Sequence, residues 1–110
     1  MTNPYPQILT SHIDGEWIAR GNRSAREVIN PSTGAVLGEV AEVTKDDLDR
    51  ALEASAKGWA EWRAKDVETR GGILHKVADL LRERLEDIAT TLAMEQGKPM
   101  EQARNEVRAG

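Results

Sequence analysis

Cysteine is absent from the 110 residues, which excludes a disulfide framework, a thiolate metal site and a cysteine nucleophile within the chain. Phenylalanine is absent too, and aromatic residues make up only 4%. The large apolar anchors therefore reduce to Trp17, Trp59 and Trp62 beside a set of leucines, isoleucines and valines. At this length the chain is one domain at most, able to bury roughly two-thirds of its unfolded surface by packing against itself. A marked excess of one charge is also lacking. The net charge is −4; residues 1–43 carry three basic and five acidic groups and residues 44–110 carry twelve and fourteen, so neither block offers a basic face for nucleic acid. No apolar run approaches a membrane span. Residues 1–10, with two prolines, have neither the basic start nor the apolar stretch of a secretion signal. These absences point to a cytoplasmic protein. Internal repeats and low-complexity tracts are missing as well.

What is present divides at about residue 43. Ile13 and Trp17 flank Asp14-Gly15, a pair that tolerates the positive φ of a tight two-residue turn, and this predicts a first hairpin. The polar stretch Arg20–Arg26 reads as a loop, after which Glu27-Val28-Ile29-Asn30 begins another strand. Pro31 pre-sets φ for a turn position and Gly34 takes the left-handed conformation that reverses the chain. A further strand is expected from Val36 to Val43. Two hairpins alone are marginal in water, so this arm is expected to need a surface to pack on.

From Thr44 the period becomes helical. Thr44 with Asp47 three residues on forms a capping-box-like start, and Asp46 and Asp47 place negative charge at the positive end of the helix dipole. The spacing predicts a helix over about 45–62 with a buried stripe of Leu48, Leu52, Ser55/Ala56, Trp59 and Trp62. Truncating either tryptophan of such a stripe to Ala would cost about 3–5 kcal/mol. A second helical stretch opens at Asp66 and carries Ile73/Leu74, Val77, Leu80/Leu81, Leu85, Ile88 and Leu92. Its length predicts a kink or break at 84–87. Gly71-Gly72 costs that helix roughly 1 kcal/mol per glycine, which close backbone packing would explain. Gly97 is a C-terminal cap, and Pro99 suits the first turn of a last helix through Glu101, Ala103 and Val107.

Few of these residues suggest chemistry by themselves. His12 and His75 lie on different elements without ligand-spaced partners and read as structural or solvated. Glu83, Glu86 and Asp87 beside Arg82 and Arg84 read as a solvated face with local ion pairs. Phosphate-cradle and nucleophile-elbow motifs are missing. Lys98, between Gly97 and Pro99, reads as a helix-end lysine.

Order and spacing add more than any one motif. Ile13-Asp14-Gly15-Glu16-Trp17, then Asn30-Pro31-Ser32-Thr33-Gly34, then a capped helix ending in tryptophans, then a long helix closing in Glu95-Gln96-Gly97-Lys98-Pro99, together resemble the amino-terminal segment of NAD(P)-dependent aldehyde dehydrogenases. The last motif leans towards the semialdehyde dehydrogenase branch. The resemblance implies an α+β fragment, a β-hairpin arm over 1–43 and amphipathic helices over 44–110, within the larger α/β, Rossmann-like fold of that family. The helices would pack on the cofactor-binding domain, with the catalytic and oligomerisation parts lying elsewhere. It also implies a cysteine thiolate that attacks the aldehyde, hydride transfer to NAD or NADP, and a glutamate-activated water that releases the acid. None of those groups maps onto 1–110, so the chain alone is expected to be inactive and the full-length protein to be a homo-oligomer, dimer or tetramer. Neither nucleic acid nor membrane is an expected partner.

One site does map onto this stretch through the resemblance. A structural monovalent cation would be held by the backbone carbonyls of Val28 and Ile29 and by Glu95, with a further ligand from beyond residue 110. For the isolated chain, Glu95 facing solvent or pairing with a nearby base is an equal alternative. A reading from a different class is a stand-alone, non-catalytic helical module that binds a partner through the Leu/Trp stripe. In either case the end of the last helix at Gly110 leaves apolar helix surface uncovered, and self-association or exchange of elements is expected.

Overall fold

The computed structural model describes residues 4–6 and 10–110. Four strands precede four helices: β1 (Ser11–Ile13), β2 (Glu16–Ile18), β3 (Ala25–Ile29), β4 (Val36–Ala41), α1 (Lys45–Ala64), α2 (Val67–Glu83), α3 (Leu85–Gln96) and α4 (Met100–Ala109). The strands form two antiparallel pairs, β1–β2 and β3–β4. In the first, Ile13 lies opposite Glu16, and Asp14 (φ 53°) and Gly15 (φ 76°) both take positive φ, as a tight hairpin turn of this kind requires. In the second, the Asn30 N–H donates to the Ala35 carbonyl and the Gly34 N–H to the Asn30 carbonyl, closing the Pro31–Gly34 turn.

The second hairpin departs from expectation at both ends. β3 begins at Ala25, inside the stretch read as a loop, because Ala25 and Arg26 find ladder partners in Ala41 and Val40. Cross-strand pairing there overrides a locally polar composition. Asn30 belongs to the turn and β4 stops at Ala41. The register shifts between Val28 and Ile29, so that Val28 faces Gly38 and Ile29 faces Val36. Leu37 is thereby the extra residue of a bulge, and it is buried.

Thr44 and Asp47 form a full capping box on α1, and Asp66 caps α2 by accepting the Thr69 N–H at 2.7 Å. The long helical stretch bends at Arg84 (φ −100°, ψ 16°), within the expected window. The Arg84 N–H still donates to Leu80 and the Ile88 N–H to Arg84, so backbone bonding continues through a kink. Gly97 (φ 70°) ends α3, and Pro99 stands at the N-cap of α4 rather than inside its first turn.

Burial falls elsewhere than the hydrophobic stripes predict. The buried apolar residues described are Tyr5, Ile13, Leu37, Ala89 and Ala103, and the two alanines, where α3 and α4 meet, are 0% exposed. The expected buried stripe on α1 is instead open: Leu52 is 61% and Trp59 60% exposed, while Trp62 is half-buried. The side of α1 turned to the body carries Asp47 and Ala54, roughly a quarter-turn or more from that stripe at 100° per residue. The 3–5 kcal/mol expected for a core tryptophan therefore does not apply to Trp59. Gly71 and Gly72 are likewise corrected, since a Cβ on either would meet nothing within 4 Å. The radius of gyration is 16.9 Å, against about 13 Å for a compact chain of this length. The accessible surface of 8460 Å² exceeds by roughly 2,400 Å² that of a compact monomer of the same mass.

Candidate functional site

Two junctions hold the end of α3, one against the β3–β4 hairpin and one against the segment that precedes β1. At the first, Pro31 Cγ and Ser32 Oγ each lie 3.0 Å from where a Cβ on Gly97 would stand. The hairpin turn presses on a residue that needs positive φ and has no room for a side chain. At the second, Tyr5 is 3% exposed and its hydroxyl donates to Glu95 Oε1 at 2.6 Å. Burial, reinforced by the hydrogen bond to Glu95 and by its charge, pushes the Tyr5 phenol up to about 12.

Tyr5, Arg26, Val28, Val40, Glu95 and Gln96 line one open cleft beside these junctions. Val28 and Glu95, 67 positions apart in the sequence, therefore share a wall. Ile29 sits across the bulge from Val28, its side chain exposed and outside that lining. The Glu95 carboxylate is a hard donor that suits a small cation, and the positive charge of Arg26 in the same lining opposes one. Tyr5 was not singled out by sequence reasoning. Its only signal is that it is the sole tyrosine, set between Pro4 and Pro6. Among the described residues no three His, Asp or Glu side chains come together as a metal group, and no helix is long and apolar enough to cross a membrane.

A second polar centre joins the strand arm to α1. Asp47 is buried and accepts Arg23 Nε and Nη2 at 2.6 Å each. It also accepts the Thr44 N–H at 2.9 Å, while its own N–H donates to Thr44 Oγ1 at 3.1 Å. The Arg23 guanidinium, helped by the Thr44 N–H, holds this carboxyl well below the usual carboxylate range. Arg23 also donates to the Ala19 carbonyl, and Glu16 of β2 pairs with Arg50 of α1 at 2.7 Å.

The other charged candidates are structural. Glu86 does not pair locally as expected but takes a bidentate Arg104 from α4 at 2.9 and 3.1 Å, because α4 folds back on α3. Lys98 pairs with Glu106 one helix on. His12 stacks edge-on against Trp17 with ring centroids 4.8 Å apart, and Trp17 is 73% exposed. These groups hold loops and helix ends in place.

Similarity to known proteins accounts for the arrangement. The family described as "Aldehyde dehydrogenase family" matches residues 17–110. Malonate-semialdehyde dehydrogenase 1 of Geobacillus kaustophilus is 34% identical over 110 residues, which are 100% of this chain and 22% of that protein. The crystal structure of succinate-semialdehyde dehydrogenase from Burkholderia pseudomallei superposes with a TM-score of 0.85 at 37% identity, covering 92% of this chain and 21% of that one. A betaine aldehyde dehydrogenase variant from Staphylococcus aureus, solved in complex with NAD+, gives 0.82 at 33% identity over 92% of this chain and 21% of that one. The chain thus spans about a fifth of the length of the relatives it matches. With most of its length matched by one family and its backbone superposing on that family's solved members, the chain belongs to the aldehyde dehydrogenase family.

Proposed function

We propose that this chain is the amino-terminal portion of an NAD(P)-dependent aldehyde dehydrogenase that oxidises an aldehyde, of the short semialdehyde class, to its carboxylic acid in the cytoplasm. The observation that carries this reading is the family match over residues 17–110 together with the one-fifth coverage of each relative. The names of the relatives supply the semialdehyde class, and the NAD+ complex of one neighbour supports the cofactor. Within that whole, α1–α4 would pack on the cofactor-binding domain, and the homo-oligomer would be a dimer or tetramer. When bound, the nicotinamide would accept the hydride. No residue of 1–110 is assigned to it, and without cysteine the 110 residues alone would turn over no aldehyde by a thiolate route.

The chain's own contribution is then positional: its two hairpins and the α3–α4 corner fix the outer surface of the larger fold. Val28, Ile29 and Glu95 would hold a structural monovalent cation, a reading supported by the cleft that Val28 and Glu95 share. In the full-length enzyme, sodium or potassium should raise the melting temperature relative to choline, and Glu95→Gln should remove the difference. Equal melting in all three salts would leave the cation without a site.

The deciding experiment pairs the intact mass of the natural gene product with NAD(P)+ reduction on malonate and succinate semialdehydes. A mass several times 12.2 kDa with aldehyde-dependent reduction is the expected result. A mass equal to that of the 110 residues without turnover favours the stand-alone helical module, for which the exposed Leu52 and Trp59 are the supporting observation.

A further inference from the structure

We propose that Tyr5 is a positioning residue for the cation site: its hydroxyl holds one oxygen of Glu95 without cancelling the negative charge, and leaves the other oxygen for a cation in the cleft shared with Val28. This deepens the cation reading given above and rests on it. Tyr5, Glu95 and the residues that anchor them all belong to this chain, so the contact is complete without any further part of a longer protein.

The choice of partner comes first. Glu95 and Arg26 line the same cleft, yet it is the Tyr5 hydroxyl that donates to the carboxylate, at 2.6 Å. An arginine in that place would form a charge-assisted pair and neutralise the carboxylate, whereas a phenol is an uncharged donor. Tyr5 therefore orients Glu95 and keeps its charge. Glu95 also lies in the last turn of α3, which carries no basic residue, so the partial negative charge of that helix end adds to the carboxylate. Both favour a cation. Arg26 is exposed, and solvent screens its opposition.

Both ends of the hydrogen bond are anchored as well. Tyr5 stands between Pro4 and Pro6, a setting that restricts the backbone on either side of it, and it is 3% exposed. Its hydroxyl has little freedom to move. Glu95 is two residues before Gly97, whose left-handed conformation ends the helix and which Pro31 and Ser32 crowd. A glutamate at a helix surface ordinarily samples several rotamers and loses that freedom when it binds a ligand. Here folding has already ordered it, and such pre-organisation strengthens binding without adding a contact. The hydrogen bonds behind a ligating carboxylate typically contribute about ten- to a hundredfold in metal affinity.

The test uses the full-length enzyme, melted in sodium chloride titrated against choline chloride at constant ionic strength. In the parent the melting temperature should rise with sodium, and the concentration at half of that rise is the midpoint. Tyr5→Phe, which keeps the ring and loses only the hydroxyl, should raise the midpoint about tenfold or more. Glu95→Gln should abolish the rise, and Tyr5→Phe added to it should change the response to sodium no further. A Tyr5 that only anchors its segment would give Tyr5→Phe a lower melting temperature in both salts with the midpoint unmoved. That result overturns the inference and leaves the cation site standing, and so does an equal midpoint shift from Asp66→Ala, which loosens the α2 cap instead. No effect of sodium on the parent overturns the cation site and this role of Tyr5 together.

Discussion

The α3–α4 corner and the α1–α2 arm are built from similar amphipathic helices, yet they handle apolar surface in opposite ways. At the corner the most buried of the described residues are two small ones, Ala89 and Ala103, and a bidentate Glu86–Arg104 pair ties the same two helices together. Along the arm Leu48, Leu52 and Trp59 stand in the open, and α2 buries no residue at all. Small side chains let two helices approach until their backbones exclude water, so a short contact is complete within one chain. Leucines and tryptophans at helical spacing mark only the face that needs a partner. Whether that face is covered depends on what else is present.

The comparison breaks most visibly if the corner is forced apart. Ala89→Leu or Ala103→Leu should cost about 1–3 kcal/mol by overpacking, read as a fall in the midpoint of urea unfolding. An unchanged midpoint would mean that the corner is looser than its zero exposure indicates. Next is Gly97→Ala, expected to cost about 1–2 kcal/mol from the left-handed backbone alone, with the 3.0 Å contacts to Pro31 and Ser32 adding to it. Gly34→Ala, which shares the positive φ but has open space around it, serves as the control, and equal losses would remove the packing part of the argument.

The α1 cap is a smaller test. Thr44→Ala should cost about 1 kcal/mol. The Asp47 carboxyl it supports is held below its unfolded value, so the associated stability is present above the unfolded pKa of about 4. That stability is lost as the pH falls through the lower folded value. Melting temperatures of the parent should therefore decline below about pH 4, and Asp47→Asn should flatten that acid limb. A parallel decline in both proteins would place the acid sensitivity elsewhere. The smallest effect is at the arm. In the 110 residues alone, Trp59→Ala should change stability by no more than about 0.5 kcal/mol, against 3–5 for a core tryptophan.

Local chemistry made most elements legible before any coordinates. Asp14-Gly15, the Thr44 box, Asp66, the kink at Arg84 and the Gly97 cap each act within a few residues, and each was found where its chemistry points. The misreadings arose where the deciding partner is distant. Ala25 and Arg26 became strand because β4 pairs with them, and Glu86 left its own helix for Arg104. The Gly71-Gly72 pair has no close neighbour to explain its cost. In the cleft, Val28 and Glu95 come together across 67 positions of sequence, a proximity no local pattern carries, and Tyr5 gave no pattern either: a single phenol 90 positions from its acceptor has no period.

The contact at Gly97 also bears on how such proteins are recombined. The Asn30–Gly34 turn and the Glu95–Pro99 helix end meet in space, so a side chain acquired at position 97 must be answered by a smaller or displaced group at 31 or 32. A crossover anywhere between residues 35 and 94 separates the two halves of that contact, and chimeras joined there inherit a lock from one parent and a key from the other.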